Sequence, residues 1–405
     1  MTRTMHQACD MNRLRQLMEA SKLDAIIAWG GANFHYVTGY QNYFDNPGGS
    51  LALIPVDAAK ESTAIVASWV YDAARANSSI TDIRSYPLWI EIGDIADMRA
   101  GRSQRTTKPS PRFDLSRNMR SLADAVVEKG LGGGRIGIEM NLVSAAAFAM
   151  LQSFLPNAKF IECSSVFTDT RAIKSAFEID SIREATVFAE EGLRAVVSTP
   201  LRGLDTNGLK MIYDNACAKR AAAMPDSGFM GTRVTASIGS DVSPTIAGGQ
   251  CIEGDEAVFF DCGVSIHGYG SDTGRTLIFS AASDEMRRIM HAICAGMDAA
   301  MDLLRPGIAM SEVFHAGQNA VRNAGLDWYT RGHIGHAMGL GMAEQAPYLS
   351  PVESRLLEPG MVIALETPLY VRGLGGFQVE ECLVITEAGH EKLTSLPRDF
   401  MMATL

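Results

Sequence analysis

Three acids interrupt otherwise apolar, strand-like runs: Asp261 in EAVFFDC, Glu366 in MVIALET and Glu380 in FQVEECLVI. A carboxylate buried in such a run without compensation is costly, so the fold must bring these segments to a common positive partner. Asp272, eleven residues after Asp261, and His336 in GHAMGLG extend the series to Asp…Asp…His…Glu…Glu. Four carboxylates and one imidazole form the donor set that two neighbouring divalent cations take. Hard, bridging oxygens carry most of the charge, and one nitrogen completes a sphere. The series therefore implies a reaction in which water is acidified and an oxyanion stabilised.

The flanking sequence says how the acids meet. EAVFFDC and RTLIFS border a glycine-rich turn, His267-Gly268-Tyr269-Gly270, which predicts a hairpin holding Asp261 beside Asp272. MVIALET and VEECLVI predict a second hairpin around Gly373, Gly375 and Gly376, with Glu366 beside Glu380. Side chains alternate across a strand, so only one of the adjacent Glu380 and Glu381 can point into a shared site.

At 405 residues the chain exceeds what one core usually organises, and two domains are expected. Up to about residue 165, short apolar strands at 24–30, 50–56, 62–68 and 135–140 alternate with helical patterns at 11–23, 116–129 and 143–154. This predicts an α/β domain over 1–165. The polar stretch 95–115 reads as a surface loop, and Gly130–Gly134 as a turn into a strand rather than a phosphate cradle. From 166 to 405, helical patterns at 172–198, 206–223, 283–304 and 310–324 combine with strands at 256–262, 275–280, 361–367 and 379–386. That combination predicts an α+β domain, with helices packed on one face of a curved antiparallel sheet. A net charge of -10 argues against nucleic acid as a partner. No apolar run is long enough for a membrane span. Seven scattered cysteines without a CxxC give no disulfide or thiolate-metal pattern, so a cytoplasmic protein is expected.

The stretches FFDCG…GYGSDTGRT, GHAMGLG, APYLSP…LEPGMVIALETPLY and GGFQVEECLVITEAGHEKL resemble the creatinase/prolidase/methionine aminopeptidase superfamily, peptidase family M24. The similarity is to its prolidase and aminopeptidase P branch. It implies a pita-bread catalytic domain behind a creatinase-like N-terminal domain, and a homodimer. Carried over by position, it implies Asp261, Asp272, His336, Glu366 and Glu380 as ligands of two divalent ions (manganese, iron, cobalt or zinc), and it selects Glu380 over Glu381. Glu366 would also orient and deprotonate the water.

Two further histidines that peptidases of this family use are missing. The first would fall in GSDVSPTIAGG, yet no histidine occurs between His35 and His267; the second position is Ala343 or Glu344 in GMAEQAPYL. Those imidazoles bind and protonate the substrate's amide region, help of order 10²–10⁴ in rate. Glu344, Gln345 and His333 are the nearest substitutes. Three readings follow: an Xaa-Pro peptidase with substitute groups, an enzyme of the same fold acting on a small non-peptide metabolite, or a metal-retaining binding module. For the second, ectoine hydrolase cleaves a non-peptide C–N bond. Creatinase does so too but largely lacks the metal ligands. A dimethylsulfoniopropionate lyase branch breaks a C–S bond, using an Asp where this chain has Gly263. Hydrolysis of a C–N bond in a dipeptide or small amide is the leading expectation. Tyr43, Phe44, His267 and Trp328 are candidate substrate-contacting residues.

Overall fold

The computed structural model describes residues 9–42, 49–88, 93–102, 114–243, 249–341 and 345–405. The chain divides into two compact units, Met1–Arg171 and Ala172–Leu405.

The first unit is built on a mixed six-stranded sheet: β1 Ala25–Trp29, β2 Leu51–Pro55, β3 Thr63–Ala67, β4 Asp82–Tyr86, β5 Arg135–Ile138 and β6 Lys159–Glu162, in the order β4-β3-β2-β1-β5-β6. The central strands β1, β2 and β3 are buried throughout, as their unbroken apolar sequences require. Gly130, at φ +71°, leads from the helix Leu115–Glu128 toward β5, as a turn. The expected loop at 95–115 contains a short helix, Ile95–Arg99, because the Asp94 carboxylate caps the amides of Ala96 and Asp97.

Glu139, just beyond β5, is buried and accepts a 2.6 Å hydrogen bond from Asn33 Nδ2. Burial pushes its carboxyl up to about 7. The folded chain thus keeps a proton that the unfolded chain releases from about pH 4.5 upward. The contribution of Glu139 to stability is therefore fully present below about pH 4.5, is lost as pH rises through the window to about 7, and is level above it. Glu139→Gln keeps the amide contact without the ionisation. It should remove this slope and exceed wild type at pH 8 by on the order of 1–3 kcal/mol. Urea unfolding at pH 5 and pH 8 checks this, and an unchanged slope in the variant would refute it.

The second unit carries a curled sheet and a small ribbon. Its strands are β7 Phe229–Ile238, β8 Val258–Ile266, β9 Tyr269–Gly270, β10 Thr273–Ile278, β11 Gly335–Ala337, β12 Gln345–Tyr348, β13 Val362–Glu366, β14 Leu369–Val371, β15 Gly375–Phe377, β16 Glu380–Ile385, β17 His390–Lys392 and β18 Met401–Met402. The main path runs β12-β11-β13-β16-β10-β8-β7, all neighbours antiparallel. β14 and β15 form a separate two-stranded ribbon. Helices Ala176–Ser198 and Thr206–Ala223 supply one apolar cluster with β7 and β8, and Asp284–Met301 and Met310–Asn323 supply another with β13 and β16. The first begins with a capping box, Ser175 and Glu178 each satisfying the other's backbone amide. The second pair approaches closely at Gly296 and Gly317, where a Cβ on Gly296 would stand 2.4 Å from Val321 Cγ2. Among the described residues no helix is long and apolar enough to cross a membrane.

Candidate metal centre

Strand register sets the site. Glu366 on β13 lies directly opposite Glu380 on β16, Glu380 opposite Gly274 on β10, and Gly274 opposite Asp261 on β8. Directly paired residues share a face, so one row across four strands presents three acids on the same side. Asp272 precedes Gly274 by two residues and His336 pairs with Ala364, two residues before Glu366. Period-two alternation puts both on that face as well.

Gly274 is the gap in the row. A Cβ there would stand 2.2 Å from Gln378 Cγ. Through that space the Gln378 amide reaches Glu366 Oε2 at 3.3 Å and Glu380 Oε2 at 3.4 Å, donating to both. His336 Nε2 lies 3.8 Å from Asp272 Oδ2 and 3.9 Å from Glu380 Oε1. Asp272, His336 and Glu380 are all buried, each offering a ligand atom within 4.8 Å of the others.

The remaining two expected ligands each meet an arginine. Arg233 Nη2 is 3.0 Å from Asp261 Oδ1 and also pairs with Asp272 Oδ1. Arg331 Nη2 is 3.3 Å from Glu366 Oε1, and His333 Nδ1 is 3.6 Å from the same oxygen. Burial, followed by the charge of Asp261, drives the Asp272 carboxyl well above the usual range. Burial, followed by the charges of Asp272, Asp261 and Glu366, does the same to Glu380. Crowded buried carboxylates of this kind fit a divalent cation, which reverses the sign of both effects by supplying the missing positive charge. Oxygen donors with one imidazole suit a first-row divalent ion.

The other expected residues fall differently. His333 stands beside Glu366, with its ring 5.4 Å from that of Tyr348. His267 occupies the tight turn after β8 at φ +53°, its ring 5.5 Å from that of Phe177. Six residues of extended strand beyond Asp261, roughly 20 Å, keep it out of the acid cluster. Trp328 is exposed, in the loop after the helix Met310–Asn323. Tyr43, Phe44 and Glu344 lie outside the described residues, as does Ala343.

Three residues at the site escaped the sequence reading: Arg233, Arg331 and Gln378. Arg233 is two residues before Thr235, the β7 partner of Asp261, so it shares the acid face once the register is known. An arginine inside the strand-like run TRVTASI was the available signal.

A metallopeptidase family M24 model matches residues 180–387, and the creatinase/prolidase N-terminal domain matches 11–173. The chain belongs to metallopeptidase family M24. It is an M24 metallohydrolase with a creatinase-like N-terminal domain and a pita-bread catalytic domain. Among relatives, an uncharacterized peptidase, YqhT, of Bacillus subtilis is 24% identical over 392 residues, covering 97% of this chain and 99% of that one. An Xaa-Pro dipeptidase of Pyrococcus furiosus is 25% identical, covering 66% and 75%. Among solved structures, an Xaa-Pro dipeptidase from Bacillus anthracis superposes with a TM-score of 0.78 at 19% identity, covering 97% and 98%. The prolidase of Pyrococcus horikoshii gives 0.77 at 21% identity, covering 96% and 99%.

Proposed function

We propose that this M24 enzyme hydrolyses the C–N bond of Xaa-Pro dipeptides, with Asp272, His336 and Glu380 as the core of its metal site. The observation that carries the reading is the burial of those three donors within 4.8 Å of one another. A divalent cation bound there supplies Lewis-acid polarisation of a carbonyl and a lowered pKa for water. Glu366, at one end of the acid row, holds and deprotonates the attacking water. His333, 3.6 Å from Glu366, stands where it can pass a proton to the departing nitrogen. Glu344 is a second candidate for that role, from its position in the sequence. A homodimer in the cytoplasm goes with this reading.

A specific departure favours a second substrate class. The stretch GSDVSPTIAGG and position 343 lack the two family histidines, so a small non-peptide amide is the competing substrate. A panel of Xaa-Pro dipeptides and cyclic or N-substituted small amides, run on protein reconstituted with manganese, cobalt or zinc, separates the two. Turnover of the dipeptides is expected, and chelation should abolish it and lower the melting temperature together. Turnover confined to the amides would replace the dipeptide reading. Activity untouched by exhaustive chelation would sink the metal reading.

A further inference from the structure

Arg233 lies between Asp261 and Asp272. Its Nη2 is 3.0 Å from Asp261 Oδ1 and pairs with Asp272 Oδ1 as well, so one guanidinium nitrogen already holds both carboxylates that a second cation would need as donors. The placement is built into the sheet. Arg233 on β7 is paired with Gly263 on β8, two residues from Asp261 on the same face. Gly263 has no side chain, and Arg233 Nε runs 3.9 Å from where its Cβ would stand. What Gly263 makes room for is the Ser271 carbonyl, 2.2 Å from that Cβ position, and Arg233 passes at ordinary contact distance on its way to both acids.

We propose that Arg233 is a resident counter-ion that takes the place of one of the two cations, leaving this chain a single divalent ion on Asp272, His336 and Glu380. The proposal rests on the metallohydrolase reading above. Charge balance agrees with it. Asp261, Asp272, Glu366 and Glu380 bring four negative charges. Arg233 and Arg331, the latter 3.3 Å from Glu366 Oε1, return two positive ones. One divalent cation closes the balance, whereas two would leave a buried excess of positive charge, which is costly. Arginine suits the role because it stays charged at any working pH and its planar fork matches carboxylates. Asp261 is then the anchor of Arg233 rather than a metal ligand.

Metal content decides the matter. Full-length chain saturated with Mn(II), desalted and measured by plasma mass spectrometry should carry one ion per chain. Arg233→Ala frees both acids and should raise that content on the order of twofold, while Arg233→Lys, which keeps the charge, should not. Two ions in the wild type would overturn the Arg233 proposal and leave the metallohydrolase reading standing, as would no increase in a folded Arg233→Ala. No ion in any form would overturn both. Should Arg233→Ala fail to fold, the wild-type Mn(II) resonance spectrum still discriminates. An isolated-ion spectrum supports the proposal, and an exchange-coupled pair refutes it.

Discussion

Asp272→Asn is expected to abolish metal retention and to lower kcat/KM by roughly 10³-fold or more, the equivalent of about 4 kcal/mol of transition-state stabilisation. Asp272 is the residue through which the halves of the site communicate. Its Oδ2 faces His336 and its Oδ1 meets Arg233. The substitution is nearly isosteric, so the fold has no packing reason to fail. Stability should behave in the opposite sense from activity. In the metal-free wild type, burial and the neighbouring Asp261 charge raise the Asp272 carboxyl, which disfavours its ionised form. An amide removes that ionisation, and Arg233 keeps Asp261 as a partner at 3.0 Å. The metal-free variant should therefore melt no lower than metal-free wild type, yet gain nothing when metal is added. Paired thermal melts with and without Mn(II) read both effects. A variant still stabilised by metal would mean that Asp272 is not a ligand.

The parts of this molecule that were legible in sequence share one property: an unambiguous hydrophobic pattern. The expected strands 24–30, 50–56 and 62–68 correspond to β1, β2 and β3, whose residues are buried without exception. The edge strands β4 and β6, DIRSY and KFIE, went unread, because an edge carries charge that erases the pattern. Helices showed the same dependence. The expected 206–223 matches Thr206–Ala223, whereas 172–198 begins four residues later, because Ser175 and Glu178 make the cap that starts the turn at Ala176. Within the site, the pairing of Glu366 with Glu380 followed from two apolar runs joined by glycines, and the register agrees. Arg233 could not be found this way. Its relevance depends on β7 lying beside β8 in one particular register, a non-local fact that periodicity does not encode.

The neighbouring glutamates provide the second large effect, because alternation gives two adjacent, chemically identical side chains opposite tasks. Glu380 faces the other acids of the row, opposite Glu366. Glu381 faces the other side of the sheet, where it and Arg275 are both wholly buried, with Arg275 Nη2 3.3 Å from Glu381 Oε1. Arg275 also donates to the carbonyls of Glu380 at 2.6 Å and Leu396 at 2.9 Å, tying the strands β10 and β16 to the chain near the C-terminus. Thr394 donates to the other Glu381 oxygen, and Lys392 Nζ stands 3.5 Å from Oε1. Glu381→Gln removes the anion from a buried pair and leaves the guanidinium without its charge partner, an imbalance that typically costs about 3–5 kcal/mol. Metal content should be unchanged, since nothing on the acid face is touched. Glu380→Gln should show the reverse, a loss of bound metal with metal-free stability equal to or above wild type, because one of the crowded carboxylates is gone. Urea midpoints and metal content measured on both variants give a crossed pattern. If Glu381→Gln lost metal and kept stability, the strand would be turned over relative to the site, and the assignment of Glu380 would fall with it.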